Sequence, residues 1–168
     1  MQKTFITSDW HFSHKNILKY QPNRPGKTIE EMNSALIKHW NETVKPEDTI
    51  YHLGDFTFHK DPKEFIDQLN GKKIFILGNH DVKSKLEQYG ECHQYREITY
   101  NKHLICLFHF PITYWNQSEN NSLHFYGHFK NHGKSMDVGY DAHNRILSME
   151  EAIDMVKDRE PAKRVYSN

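Results

Sequence analysis

Five short segments carry side chains suited to gripping metal ions: Asp9 with His11, Asp55, the run Asn79-His80-Asp81, His109 and His128. Each follows an apolar run, so each candidate ligand is expected where a strand gives way to a loop, the place where chemistry gathers in layered α/β folds. Carboxylates, imidazoles and one amide, with no thiolate among them, suit Mn, Fe, Zn or Co and not Cu(I). The chemistry that fits is phosphoester cleavage. It needs charge neutralised on the phosphate, a nucleophile made from water and a protonated leaving group, and two cations roughly 3.5–4 Å apart serve the first two needs. Ions that close require an anionic bridge, for which Asp55 is the candidate. Asp9 and His11 lie two apart, so on an extended strand end they face one side and could share one ion. Asn79, His109 and His128 could serve the other ion. Gly54, Gly78 and Gly127 each precede a candidate ligand, where glycine permits unusual φ and close approach.

The elements that must position these residues alternate at first. Strands are expected at residues 4–8, 48–53 and 73–77, the last nearly all apolar and so buried on both faces. Thr28-Ile29-Glu30-Glu31 reads as a capping box opening a helix through about Asn41, with Met32, Ala35, Leu36 and Trp40 near one face. Asp61-Pro62 reads as a helix start and Asn70-Gly71 as its end, and a short helix follows at about 82–89. Strands are then predicted at 92–99, 103–110, 122–126 and 135–138, the first two joined by a turn at Asn101-Lys102. A second capping box at Ser148-Met149-Glu150-Glu151 opens a last helix to about Asp158. An α/β half followed by a β-rich half in one domain, core about 3–158 with a polar tail at 159–168, implies two packed sheets with helices outside.

Composition narrows the function classes. With 168 residues and 36% hydrophobic content the chain is long enough for one full core. Lys plus Arg and Asp plus Glu number 22 each, so no global field draws the protein to nucleic acid or a membrane. Two cysteines, Cys92 and Cys106, are too few for a disulfide framework and fit a reducing cytoplasm. Neither a signal peptide nor an apolar run of roughly 20 residues is expected to send the chain to a membrane. Histidine, at 13 residues, is the excess, and it is the commonest metal ligand.

The order Asp9-x-His11, Gly54-Asp55, Gly78-Asn79-His80-Asp81, His109, Gly127-His128 resembles the calcineurin-like metallophosphoesterase family, from residue 5 to about 155. Ser8-Asp9-Trp10-His11-Phe12, Leu53-Gly54-Asp55-Phe56, His109-Phe110-Pro111 and Asp137-Val138-Gly139-Tyr140-Asp141 are similar to its compact single-domain members from bacteria and phages. The resemblance implies a four-layer α/β/β/α sandwich, two packed mixed sheets flanked by helices, with a dinuclear site at one edge. It further implies that Asp9 and His11 bind the first metal, that Asp55 bridges, and that Asn79, His109 and His128 bind the second. His80 would be the general acid, held by Asp81, a pairing that would orient the ring and favour its proton-carrying form.

One position departs from the family pattern. Where Gly-His-x-His is usual, the sequence reads Gly127-His128-Phe129-Lys130, so a lysine stands where a ligand of the first metal belongs. Three outcomes are open: a weakened or single-metal site, completion by His132 or His14, or Lys130 itself as ligand. An ammonium repels a cation, and His132 lies about 6.6 Å further along an extended chain. Arg24 could clasp a substrate phosphate bidentately or be a solvated loop residue, and His14 is a second candidate for substrate contact. His52, His59, His124 and His143 are read as structural or surface residues. Tyr114 and Trp115 could stack on a base or pack in the core. The reading that follows is a metal-dependent phosphoesterase for a small phosphorylated compound, with nucleotides among the candidates. The alternatives are a nuclease, disfavoured by the balanced charge, and an interaction module that has lost the site, disfavoured by His80 and Asp81.

Overall fold

The structure is a computed structural model that describes residues 1–127 and 133–162. Its first sheet has the order β4 (Glu91–His93), β3 (Lys72–Ile76), β2 (Thr49–His52), β1 (Thr4–Thr7), β9 (Leu147–Ser148). All neighbours are parallel except β1 and β9, which run antiparallel. The second sheet has the order β5 (Tyr95–Tyr100), β6 (His103–Phe108), β7 (Leu123–Tyr126), β8 (Ser135–Asp137), antiparallel at β5–β6 and parallel elsewhere. Two mixed sheets with flanking helices are therefore the architecture, as the sequence predicts.

The period-2 alternation of strand side chains divides the interior into two cores. Phe5, Ile50 and Phe75 face α2 (Ile29–Thr43) and pack with Met32, Leu36 and Trp40, which recur every four residues along one face of that helix. Their neighbours Ile6 and Ile76 face the other way, into a core shared with Ile105, Leu107, Leu123 and Phe125 of the second sheet and with α6 (Met149–Asp154). On the outer face of the second sheet, Cys106 packs with Trp115 and Ala162, so Trp115 is a core residue while Tyr114 is exposed.

Helix starts follow the sequence signals closely. Thr28 Oγ1 accepts from the Glu31 amide at 3.2 Å, and Glu31 reaches past it to accept from the Lys27 amide. At Ser148 both halves of the capping box form, the Glu151 carboxylate accepting from the Ser148 amide and the Ser148 hydroxyl from the Glu151 amide.

Other boundaries differ. The helix expected from Asp61 to Asn70 is reduced to α3 (Lys63–Ile66), with Pro62 at its N-cap. The strand predicted at 92–99 is two strands that break at Gln94, where the chain leaves the first sheet for the second. The local sequence carries no mark of such a change of sheet. The turn after β5 is where the sequence puts it, with Asn101 and Lys102 both left-handed at φ 45° and 69°, as a tight hairpin requires. The short helices α1 (Ile17–Tyr20) and α5 (Tyr140–His143), and the two-residue β9, have no signal of their own; α4 (Lys83–Leu86) falls inside its expected span. Among the described residues no helix is long and apolar enough to cross a membrane.

His52 ends β2 fully buried among aromatic rings, 5.2 Å from Phe56 and 6.4 Å from Trp40, and neither ring nitrogen has a hydrogen-bond partner. Burial lowers its pKa from 6.5 to about 3, against the attraction of Asp9 and Asp55. Unfolded chains bind this proton below pH 6.5 and folded ones do not, so stability falls as pH drops from 6.5 towards 3. One such group contributes a slope of up to about 1.4 kcal/mol per pH unit. His124, lowered to about 4 by burial, adds a second contribution. Urea unfolding of chelator-treated protein between pH 7 and 4 is therefore expected to show falling stability, and His52→Leu is expected to remove about one proton's worth of that slope. A variant whose slope matches wild type would locate the acid sensitivity elsewhere.

Candidate functional site

The loops after β1 and β2 are laced together where the strands end. The amides of Asp9, His11 and Phe12 donate to the carbonyls of Gly54, Asp55 and Phe56 at 3.0–3.1 Å, and Phe58 donates back to Phe12 at 2.8 Å. Within this lacing Asp9, His11 and Asp55 are left-handed, at φ 58°, 51° and 57°. The backbone is thus not extended through Asp9 and His11, as the sequence suggests. Asp9 and His11, on either side of Trp10, each cost roughly 1–2 kcal/mol in this conformation. Neighbouring glycines make room. Gly54 is itself at φ 98°, and a Cβ there would strike the His109 ring; a Cβ at Gly127 would strike Asp9 Oδ2 and Ser8 Oγ.

Asp9, His11 and Asp55 are all buried, and one potential ligand atom from each lies within 4.8 Å of the others. Two imidazoles show how the group is polarised. His11 Nδ1 lies 3.1 Å from the Asp9 carbonyl and His109 Nδ1 lies 2.7 Å from the Leu53 carbonyl. A carbonyl only accepts, so each Nδ1 carries a proton, and in the neutral ring each Nε2 presents a lone pair. Those Nε2 atoms face one carboxylate oxygen, Asp55 Oδ2, at 3.4 and 3.7 Å. Asn79 Oδ1, another acceptor, lies 3.2 Å from His109 Nε2. Acceptors turned on one another around a buried carboxylate are mutually repulsive unless a cation or protons lie between them. Burial resists ionisation of Asp55, yet hydrogen bonds from the His11 ring and the His80 amide and the charge of His109 bring its pKa down to about 2. The donor set fits a hard-to-borderline divalent ion.

His80 is the outermost member, with Nε2 4.0 Å from Asp55 Oδ2 and its side chain 47% exposed. Its amide donates to Asp55 Oδ1 at 3.0 Å, which ties the third loop to the second. Asp81 does not hold the His80 ring as expected from the sequence. Its carboxylate accepts instead from the amides of Asp55, Phe56 and Gly78 at 2.8–3.0 Å. Burial pushes its pKa up while those three donors favour the ionised form. Asp81 is a staple between two loops.

Arg24 also departs from expectation. Its guanidinium is buried and committed: Nε and Nη2 grip Asp141 at 2.6 and 2.8 Å, Nη1 donates to the Trp10 carbonyl, and Nη2 also donates to the Asp9 carbonyl. A fork filled this way has no face left for a substrate phosphate, and it fixes the peptide units between Asp9 and His11. His14 stands outside the ligand group, its ring 5.8 Å from that of His11 and edge-on to Phe58 at 4.2 Å. Two further contributors escape sequence reading. Ser8 Oγ lies 2.6 Å from Asp9 Oδ2 and 2.8 Å from the Leu53 carbonyl, and Asp141 pairs with an arginine 117 residues away. His128, Lys130 and His132 lie outside the described residues.

Comparisons with known proteins bear on the family and the fold. The chain matches the model of the calcineurin-like phosphoesterases over residues 3–164. An uncharacterised protein of Methanocaldococcus jannaschii is 43% identical over 115 residues, 66% of this chain and 60% of that protein, so the match spans under two thirds of the relative. The gene 66 protein of Mycobacterium phage L5 is 23% identical over 93% of this chain and 95% of its own length. Among solved structures, a protein of unknown function from Aquifex aeolicus superposes with a TM-score of 0.74 at 26% identity, over 93% of this chain and all of that one. A novel archaeal phosphodiesterase shares the fold at a TM-score of 0.53 and 16% identity, over 90% of this chain and 96% of that one.

Removing the guanidinium would leave Asp141 and two loop carbonyls without their donors. Arg24→Met is expected to lower unfolding free energy by roughly 3 kcal/mol, the lower end for a broken buried pair, and to weaken divalent-metal binding measured by calorimetry. Arg24→Lys, which keeps the charge without the planar fork, is expected to restore only part of either loss. Metal affinity equal to wild type in a folded Arg24→Met protein would show that the clamp does not position the loop.

Proposed function

Because this chain belongs to the calcineurin-like phosphoesterase family, we propose that it is a metal-dependent hydrolase of phosphoesters, acting as a single domain on a small phosphorylated compound. The observation that carries this reading is the convergence of the His11 and His109 Nε2 lone pairs on Asp55 Oδ2. Asp9 and His11 would hold one ion, Asn79, His109 and His128 the other, with Asp55 between them. Ions bound there supply charge neutralisation for the phosphate and acidify water for attack. The Asp9 and Asp55 carboxylates would offset the charge of bound ions, and the carbonyls of Asp9 and Leu53 favour the imidazole tautomer that can coordinate. His80 Nε2, at the exposed rim, would pass its proton to the departing oxygen, its loop held by Asp81. His14, its ring 5.8 Å from that of His11, would contact a bound phosphate. The unpaired thiols Cys92 and Cys106 support a reducing, cytoplasmic setting.

Hydrolysis of an alkyl and a nitrophenyl phosphoester with added Mn tests these roles. Asp55→Asn is expected to abolish most turnover of both. His80→Asn is expected to slow the alkyl ester roughly 10²–10⁴-fold and the nitrophenyl ester far less, since nitrophenolate departs without a proton. Near-normal turnover in Asp55→Asn would end the dinuclear reading, and equal losses for His80→Asn would end its assignment as acid.

Lys130 bears on the number of ions. With an ammonium where the family supplies an imidazole, one ion would bind tightly and a second only at high concentration. Metal titration by calorimetry is then expected to show one tight site in wild type and two in Lys130→His. Two tight sites in wild type, lost in His132→Ala or His14→Ala, would mean that one of those histidines completes the shell.

A further inference from the structure

A cleft of about 180 Å³ opens beside His80, between the loop that follows Asp55 and the segment that leads into α4. One wall is Phe58, 39% exposed, whose ring is backed by three imidazoles: His14 at 4.2 Å, His80 at 4.7 Å and His11 at 5.5 Å. The ring is not loose, since the Phe58 amide is tied to Phe12 and the preceding Thr57 pairs with Phe12 across the lacing. Val82 and Leu86 continue the apolar surface. The cleft is also cationic. Lys60 and Lys85 line it, the Lys85 ammonium donates to the Lys60 carbonyl at 3.0 Å, and neither lysine has an ion-pair partner among the described residues. Asp81 is the acid of this lining, and its oxygens are committed to three amides.

Position, shape and charge point the same way. His80, the proposed proton donor, forms part of the wall, so a group in this cleft lies on the side from which the leaving oxygen departs. The volume is below the roughly 300 Å³ at which drug-sized pockets begin, which suits one ring system. A rigid, half-exposed phenyl ring offers a stacking face worth about 1–3 kcal/mol per base, and the unpaired lysines favour a second negative charge. We propose that this cleft is the leaving-group subsite and that it takes a nucleotide: a planar base against Phe58 with an anionic phosphate towards Lys60 and Lys85. The proposal rests on the phosphoesterase reading and narrows it to substrates whose leaving group is itself a nucleotide.

The leaving group alone is the sharpest probe. In chelator-treated protein the carboxylates of Asp9 and Asp55 repel phosphate from the metal site, so binding reports the cleft. Calorimetric titration of wild type is expected to show adenosine monophosphate binding more tightly than adenosine and than ribose 5-phosphate. Phe58→Ala is expected to weaken adenosine monophosphate at least about fivefold and to leave ribose 5-phosphate unchanged. Phe58→Leu keeps apolar bulk against the three imidazoles and is expected to lose most of the same affinity, which separates lost stacking from a collapsed loop. Lys85→Gln is expected to bring adenosine monophosphate down towards adenosine. Equal binding of all three ligands, or nucleotide affinity unaltered by both Phe58 variants, would overturn the subsite. Wild-type hydrolysis of nitrophenyl phosphate and of adenosine diphosphate, whose leaving group is adenosine monophosphate, is measured alongside with added Mn. Hydrolysis without nucleotide preference defeats the subsite alone, whereas nucleotide binding without hydrolysis defeats the phosphoesterase reading and leaves a nucleotide site.

Discussion

Asp9, His11, Asp55 and His109 turn oxygen and nitrogen lone pairs on one another in a volume almost closed to water. Acceptors do not gather this way by preference. Without a cation or protons between them they repel, and burial strengthens the repulsion because little solvent is left to screen it. The surrounding structure must therefore hold them by other means. Backbone hydrogen bonds lace the first two loops together, Asp81 staples the second to the third through three amides, and Arg24 grips the two carbonyls that flank Trp10. The parallel strands β1, β2 and β3 deliver all three loops to the same sheet edge.

That arrangement explains why Arg24 and Asp81 read in sequence as contacts for substrate or catalyst and are in fact supports. Charged residues near a metal motif attract a functional reading, yet their charge is spent on backbone groups that left-handed turns leave exposed. Asp81 accepts amides that a strand would have paired, and Arg24 donates to carbonyls that a regular helix would have used. Both are buried-polar solutions to the backbone accounting of an irregular loop.

Much of the fold was legible because its signals are local. Apolar runs marked the strands, and the Thr28 and Ser148 caps marked two helix starts. Gly-Asp and Gly-Asn-His-Asp after apolar runs marked the loops that the structure joins at Asp55. What escaped depends on distance in the chain or on three-dimensional context. The break at Gln94 changes sheet within a single expected strand, and β9 is only two residues long. Asp141 meets Arg24 across 117 residues, with nothing local to tie them. The left-handed residues were hidden too, since a positive φ leaves no periodic mark in the sequence and an extended reading groups the same side chains.

Those left-handed positions also show how the site divides its demands between residues. Asp9, His11 and Asp55 need both a strained backbone and a functional side chain, so glycine, which would relieve the strain, cannot replace them. Glycine stands instead next to where the crowding falls: Gly54 leaves space for the His109 ring, and Gly127 for the Asp9 carboxylate and Ser8 hydroxyl. Strain and space are thus assigned to different residues of neighbouring loops, and the hydrogen bonds between those loops offset the strain. A side chain added at Gly127 would displace Asp9 without touching a ligand's chemistry, and glycine at Asp9 would relax the backbone and remove the ligand. Both changes empty the same site, one by steric pressure and the other by deletion, because ligand geometry here belongs to the loops jointly rather than to any single residue.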